Sequence, residues 1–128
     1  MKTVIMIDDN EDDLFFTQLT FKRVDETCDF VSIPKASQAL DRLAEGSLPP
    51  RGLLLLDINM PVMNGFDFLE AYEALPLAQR AHLMVVMLTS SYDEKDKERA
   101  FNFPSVKGFV NKPIDAAQVG KLLSSLEG

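Results

Sequence analysis

Short apolar runs alternate with amphipathic stretches five times along this chain. Thr3–Ile7 (TVIMI) is β-branched and apolar, and predicts a first strand. Asn10 is placed to cap the helix that follows. Glu11, Asp12 and Asp13 fill its first turn, where acids meet the positive end of the helix dipole. That helix runs to about Val24, with a broad apolar face of Leu14, Phe15, Phe16, Leu19 and Phe21. Asp29–Ile33 (DFVSI) predicts a second strand. Ala36, Ala39, Leu40, Leu43 and Ala44 then share one helical face. Gly46 ends that helix, and Pro49-Pro50 forbids its continuation.

Leu53–Leu56 is a run of four leucines, a residue with no strong strand preference. Its flanks decide: Pro-Pro-Arg-Gly before and Asn-Met-Pro after leave room for a strand and not for a helix. Gly65 precedes a helix marked by Phe66, Leu69 and Tyr72. Leu83–Leu88 (LMVVML) predicts a fourth strand, apolar on both faces. Asp93 to about Phe103 predicts a charged surface helix stopped by Pro104. Gly108–Asn111 (GFVN) predicts a short fifth strand. Asp115 and Gln118 form a capping box for a last helix carrying Val119, Leu122, Leu123 and Leu126.

The pattern is a strand and a helix, repeated five times. Strands apolar on both faces imply a parallel sheet covered on both sides, a three-layer α/β sandwich. Right-handed crossovers leave few topologies, and the commonest with five strands is the flavodoxin-like order 2-1-3-4-5. With 128 residues and 46% hydrophobic content, the chain suits one domain with one sizeable core, and no output domain is expected after the last helix.

Composition narrows the function classes. No apolar run reaches the ~18 residues that a membrane helix needs, and MKTVIMIDD is too short and too acidic for a secretory signal. A cytoplasmic protein is expected. Cys28 is the single cysteine, so an internal disulfide or a multi-thiolate metal site is impossible; it reads as a small buried hydrophobe. The net charge of −7, with no basic cluster, leaves no surface for nucleic acid. His82, the one histidine, is placed at the far end of the fourth strand, away from the acids. The methionines fall mostly on strands and read as core filler.

In such a sheet, ligands bind at the carboxyl ends of the strands, beside the switch between strands 1 and 3. Strand 1 ends in Asp8 and Asp9, and strand 3 in Asp57, Ile58 and Asn59. Strand 4 ends in Thr89, Ser90 and Ser91, and strand 5 in Lys112 and Pro113. Three carboxylates at one rim repel each other, by about 4 kcal/mol per pair at ~4 Å and an effective dielectric of ~20. Lys112 offsets part of this and a divalent cation would offset more. All-oxygen ligands favour Mg²⁺ or Mn²⁺ over zinc. Asp8 and Asp9 are accordingly expected to hold a metal, and Glu11, Asp12 and Asp13 to serve the helix terminus. Taken alone, Asp57 or Thr89 also suits a capping role, and Lys112 suits an ordinary surface lysine.

Four motifs now stand in order: Asp8-Asp9 after strand 1, LLLLDINMPVMNG around Asp57, MLTSS ending strand 4, and Lys112-Pro113. Over essentially the whole chain they resemble the receiver domain of two-component response regulators, the CheY-like family. The resemblance implies that Asp57 accepts a phosphoryl group from a phosphohistidine on a sensor histidine kinase or a histidine phosphotransfer protein. It implies Mg²⁺ bound by Asp9, Asp57 and the backbone carbonyl of Asn59, with Asp8 acting mainly through a metal-bound water. Lys112, held by Pro113, would pair with the phosphoryl oxygens. Thr89 would swing its hydroxyl to them, and Phe109, at the aromatic switch position, would move inward. A downstream protein would read the altered surface. No turnover is implied beyond phosphorylation and dephosphorylation of the chain's own aspartate. One stretch departs from the family: FNFPSVKGF is a residue longer than the usual connection, with Pro104 and Ser105 where glycine and alanine are common.

Rival readings on related scaffolds fit less well. A Mg²⁺-dependent aspartyl phosphatase of the haloacid dehalogenase kind needs Asp-x-Asp after its first strand, but Asn10 stands two residues after Asp8. A flavin-binding module wants a Ser/Thr/Gly-rich phosphate loop where this chain places acids. A receiver that only binds partners, without phosphorylation, remains an alternative if Asp57 is inert.

Overall fold

In a computed structural model, residues 2–49, 51–80 and 82–126 are described. Pro50, half of the expected helix-stopping pair, lies outside them. The order is β1 (Thr3–Ile7), α1 (Glu11–Val24), β2 (Asp29–Ile33), α2 (Ala36–Glu45), β3 (Arg51–Asp57), α3 (Gly65–Glu73), β4 (His82–Thr89), α4 (Glu94–Phe101), β5 (Val106–Asn111) and α5 (Ala116–Ser125). The strands form one parallel sheet in the order β2-β1-β3-β4-β5, as the alternation predicts.

Alternate residues of each inner strand feed opposite faces. Ile5, Ile7, Leu54, Leu56, Val85 and Met87 pack under α2, α3 and Ala100 of α4. Val4, Met6, Leu53, Leu55, Val86 and Leu88 pack under α1 and α5. Leu53, Leu54, Leu55 and Leu56 are all fully buried. Burying a leucine side chain contributes about 1.5–3 kcal/mol, which outweighs a strand-propensity scale spanning only ~1 kcal/mol. Burial on both faces therefore overrides leucine's indifference to the strand.

Caps set the helix starts. Asn10 accepts the Asp13 N–H, and Asn64-Asp67 and Asp115-Gln118 form reciprocal capping boxes. Gly46, with φ 73°, closes α2 in the left-handed region. Gly65 begins α3 where space is shortest: a Cβ there would lie 2.7 Å from the Asp57 carbonyl oxygen. The glycine of MNG lets α3 start directly against the end of β3.

Four boundaries differ from the sequence pattern. β3 and β4 extend to Arg51 and His82 because their ladder is continuous, from Arg51 opposite His82 to Asp57 opposite Leu88. α4 stops at Phe101, two residues early. Asn102 caps it, and Phe103 turns inward to stack on Phe66 at 6.4 Å. β5 starts at Val106 instead of Gly108. Its register against β4 jumps from Val85–Val106 to Val86–Gly108, so Lys107 is bulged out of the ladder. That bulge takes up one residue within the FNFPSVKGF stretch. Glu73 of α3 ties the segment down, accepting from both the backbone N–H and the hydroxyl of Ser105 at 2.9 and 2.7 Å.

Candidate functional site

The chain reverses direction across the sheet at β1: β2 lies on one side of it and β3 on the other. The loops after β1 and β3 part here, opening a polar cavity of about 340 Å³. Asp8, Asp9, Asn10, Asp13, Asp57, Asn59, Ser90 and Lys112 line it. Asp8 is fully buried and Asp57 is 4% exposed. Asp9 and Asn59 are exposed at the mouth.

Lys112 is the hub. Its Nζ donates to Asp8 Oδ2 at 2.6 Å and to Asp13 Oδ2 at 2.9 Å, and lies 3.2 Å from Asp57 Oδ1. Backbone contacts fix its place. The Lys112 N–H donates to the Thr89 carbonyl at 2.8 Å, so the end of β4 holds the end of β5. The Lys112–Pro113 peptide is cis. Asp8 is anchored too, accepting the Asn10 N–H at 2.9 Å and donating its own backbone N–H to Ile33.

The electrostatics follow from burial. Burial, then the neighbouring Asp8 charge, pushes the Asp57 carboxyl up from 3.8 to about 6, while Lys112 and the Asn59 N–H pull the other way. For Lys112, burial works against the ammonium. Its hydrogen bonds to Asp8 and Asp13 and the Asp57 charge outweigh that and hold its pKa above the usual value.

One carboxylate oxygen from each of Asp8, Asp9 and Asp57 lies within 4.8 Å of the others. Such an oxygen-only set fits a hard divalent cation, with Mg²⁺ and Mn²⁺ suited and thiolate-seeking metals not.

The expected residues are not all brought together. Asp8, Asp9, Asp57, Asn59 and Lys112 share the cavity. Thr89 stands at the end of β4 but is fully buried and does not line the cavity. Its hydroxyl donates to the Ser91 carbonyl at 2.9 Å and accepts the Ser91 N–H at 3.1 Å; its neighbour Ser90 faces the acids. It does not cap α4, since Asp93 does that. Phe109 is half-buried against the core, with the Tyr92 ring edge-on at 5.9 Å.

Asp13 was assigned to the helix terminus alone, and that assignment is incomplete. It stands in the first turn of α1, yet its carboxylate reaches Lys112, 99 residues away in sequence. The available signal was its phase: one turn into α1, it points back over the rim that Asp8 and Asp9 begin. His82 lies at the opposite end of the sheet, as expected, and Cys28 is buried, which pushes its thiol pKa up. Among the described residues, no helix is long and apolar enough to cross a membrane.

A three-layer sandwich with acids and one lysine at the β1/β3 switch defines the class of CheY-like α/β domains. Residues 4–124 match the family described as the response regulator receiver domain, and the chain belongs to that family. It is 30% identical over 122 residues to an uncharacterized 14.6 kDa protein of Leptolyngbya boryana, covering 94% of this chain and 86% of that one. The crystal structure of a response regulator receiver protein from Dyadobacter fermentans superposes with a TM-score of 0.86 at 30% identity, covering 99% and 98% of the two chains. A two-component response regulator from Cytophaga hutchinsonii has a TM-score of 0.88 at 23% identity, covering 99% and 97%, and so shares the fold.

Proposed function

We propose that this receiver is a phosphorylation switch in which Asp57 takes a phosphoryl group from a phosphohistidine. The donor belongs to a sensor histidine kinase or a histidine phosphotransfer protein. The observation that carries this reading is the placement of Asp57. A nearly buried carboxylate at the end of a core strand, 3.2 Å from a lysine and beside two further acids, has little structural use for so much repulsion.

An Asp57 oxygen forms a bond to phosphorus while the P–N bond of the donor breaks, and its electron pair returns to the imidazole. Such transfer needs positioning and charge neutralisation more than covalent help. Lys112 supplies positive charge from the chain itself. Asp8, Asp9, Asp57 and the carbonyl of Asn59 would hold Mg²⁺, which when bound adds positive charge against the phosphoryl oxygens.

The product carries roughly −1.5 to −2 charge, by analogy with other phosphorylated side chains. That charge draws the Thr89 hydroxyl out of its bonds to Ser91. The loop to α4 moves with it, and Phe109 leaves the edge of Tyr92 for the space vacated. A cytoplasmic protein partner then reads the changed surface of β5, α5 and the α4 loop.

The test is incubation with acetyl phosphate and Mg²⁺, followed by intact mass. One added phosphoryl group is expected in the wild type, none in Asp57→Asn, and little when the metal is chelated. Labelling of Asp57→Asn at the wild-type level rejects the reading.

A further inference from the structure

An ammonium has three N–H donors, and three carboxylates already surround the one on Lys112: Asp8 at 2.6 Å, Asp13 at 2.9 Å and Asp57 at 3.2 Å. A phosphoryl oxygen arriving on Asp57 needs one of these donors. The three acids differ in what release would cost. The Asp8 side chain is 0% exposed, and freeing it strands a buried charge. Asp57 is the acceptor itself. The Asp13 side chain is 37% exposed, so water can take over its hydrogen bond.

Local structure suits such an exchange. The Asp13 backbone N–H is held by Asn10 Oδ1 at 3.0 Å, so α1 stays capped when the carboxylate lets go. Beside the acid cavity lies a second one of about 320 Å³, also lined by Asp13 and Lys112, with Phe16, Thr17, Thr20 and Pro113. It gives the released carboxylate room.

We propose that Asp13 is a positioning residue that acts through Lys112. In the unphosphorylated protein it holds the Lys112 hydrogen bond that the phosphoryl group later takes, and it thereby weakens the site for phosphoryl donors. This rests on the reading that Asp57 accepts phosphoryl groups. Without the Asp13 charge Lys112 stays pinned by Asp8, has a donor to spare, and faces one fewer anion at the mouth. All three changes favour an anionic donor.

The experiment measures the acetyl phosphate concentration that half-saturates the labelling rate, by intact mass at saturating Mg²⁺, with thermal melting as a fold control. Asp13→Asn is expected to lower that concentration about threefold or more. Asp13→Glu, which keeps the charge, stays within about twofold of wild type. The difference between Asp13→Asn and wild type narrows in about 0.5 M KCl, because an exposed charge is screened. A purely structural role for Asp13 would lower the melting temperature and leave this salt signature absent. An unchanged or higher half-saturating concentration in Asp13→Asn, with wild type labelled normally, overturns the role of Asp13 alone. A wild type that takes no label removes the phosphoacceptor reading, and this inference with it.

Discussion

The two ends of the sheet carry opposite charge in opposite ways. At the carboxyl ends, Asp8, Asp57 and Lys112 are packed into a small cavity, with one hydrogen-bonded contact as short as 2.6 Å. At the amino ends, Lys2, Arg51, His82 and Lys107 surround a larger, open cleft of about 510 Å³. The larger cavity is not where the proposed chemistry lies. Its charged groups stand around an opening to solvent, where isolated ionic contacts contribute little. The smaller one forces charges together out of water, where each must be neutralised or shifted in pKa. Crowding, and not cavity size or charge count, distinguishes the end proposed to be functional.

The sharpest way to break this contrast is to remove one cation from each end. Lys112→Met strands the buried Asp8 and Asp57 carboxylates. It should cost about 3–5 kcal/mol in denaturant melts and leave the phosphorylation rate at least tenfold lower. Lys107→Met, at the bulge in β5, should stay within about 0.5 kcal/mol of wild type and label normally. Equal effects at the two ends would erase the distinction.

A second test uses pH on the metal-free protein. The Asp57 pKa is raised from 3.8 to about 6, so the folded state binds its proton more tightly than the unfolded chain does. The ionised carboxylate therefore costs stability above pH 6, and that cost disappears as pH falls toward 4. The gap corresponds to about 3 kcal/mol. Asp57→Asn should thus be more stable than wild type at pH 7.5 in chelator, by about 1–3 kcal/mol, and the gain should shrink at pH 4.5. Added Mg²⁺ should stabilise the wild type and close most of the difference. An Asp57→Asn variant less stable than wild type at pH 7.5 would mean that the rim is not crowded as described.

The smallest effect concerns the loop between the cavity and α3. Val62 is fully exposed with φ 69°, a left-handed conformation that a β-branched residue adopts only at a cost. Val62→Asn should raise stability by about 0.5–1 kcal/mol without changing the labelling of Asp57. A loss of stability would show that Val62 makes a contact that offsets its backbone.

The sequence was most legible where burial and punctuation agree. Leu53–Leu56, bounded by proline and glycine, had to be a strand in the core, and its end had to deliver Asp57 to the rim. The crossover rules then placed Asp8 and Lys112, 104 residues apart, within reach of each other. Legibility failed where a local explanation was already sufficient. Asp13 satisfies the helix dipole whether or not it touches Lys112, so nothing in the pattern asks for a second partner. Thr89 ends β4 by periodicity, but which way its hydroxyl points depends on the turn at Ser91. The start of β5 was hidden because Ser105 and Lys107 break the apolar pattern, and a bulge at Lys107 leaves no signature in periodicity.

The central claim is that the fold gathers these acids so that Asp57, and no neighbour, takes the phosphoryl group. Borohydride reduction of the acetyl phosphate-treated protein converts an aspartyl phosphate to homoserine, which peptide mass mapping locates. The account predicts homoserine at position 57 only, dependent on Mg²⁺. Homoserine at position 8, 9 or 13, or none anywhere in a protein shown to be folded, would contradict it.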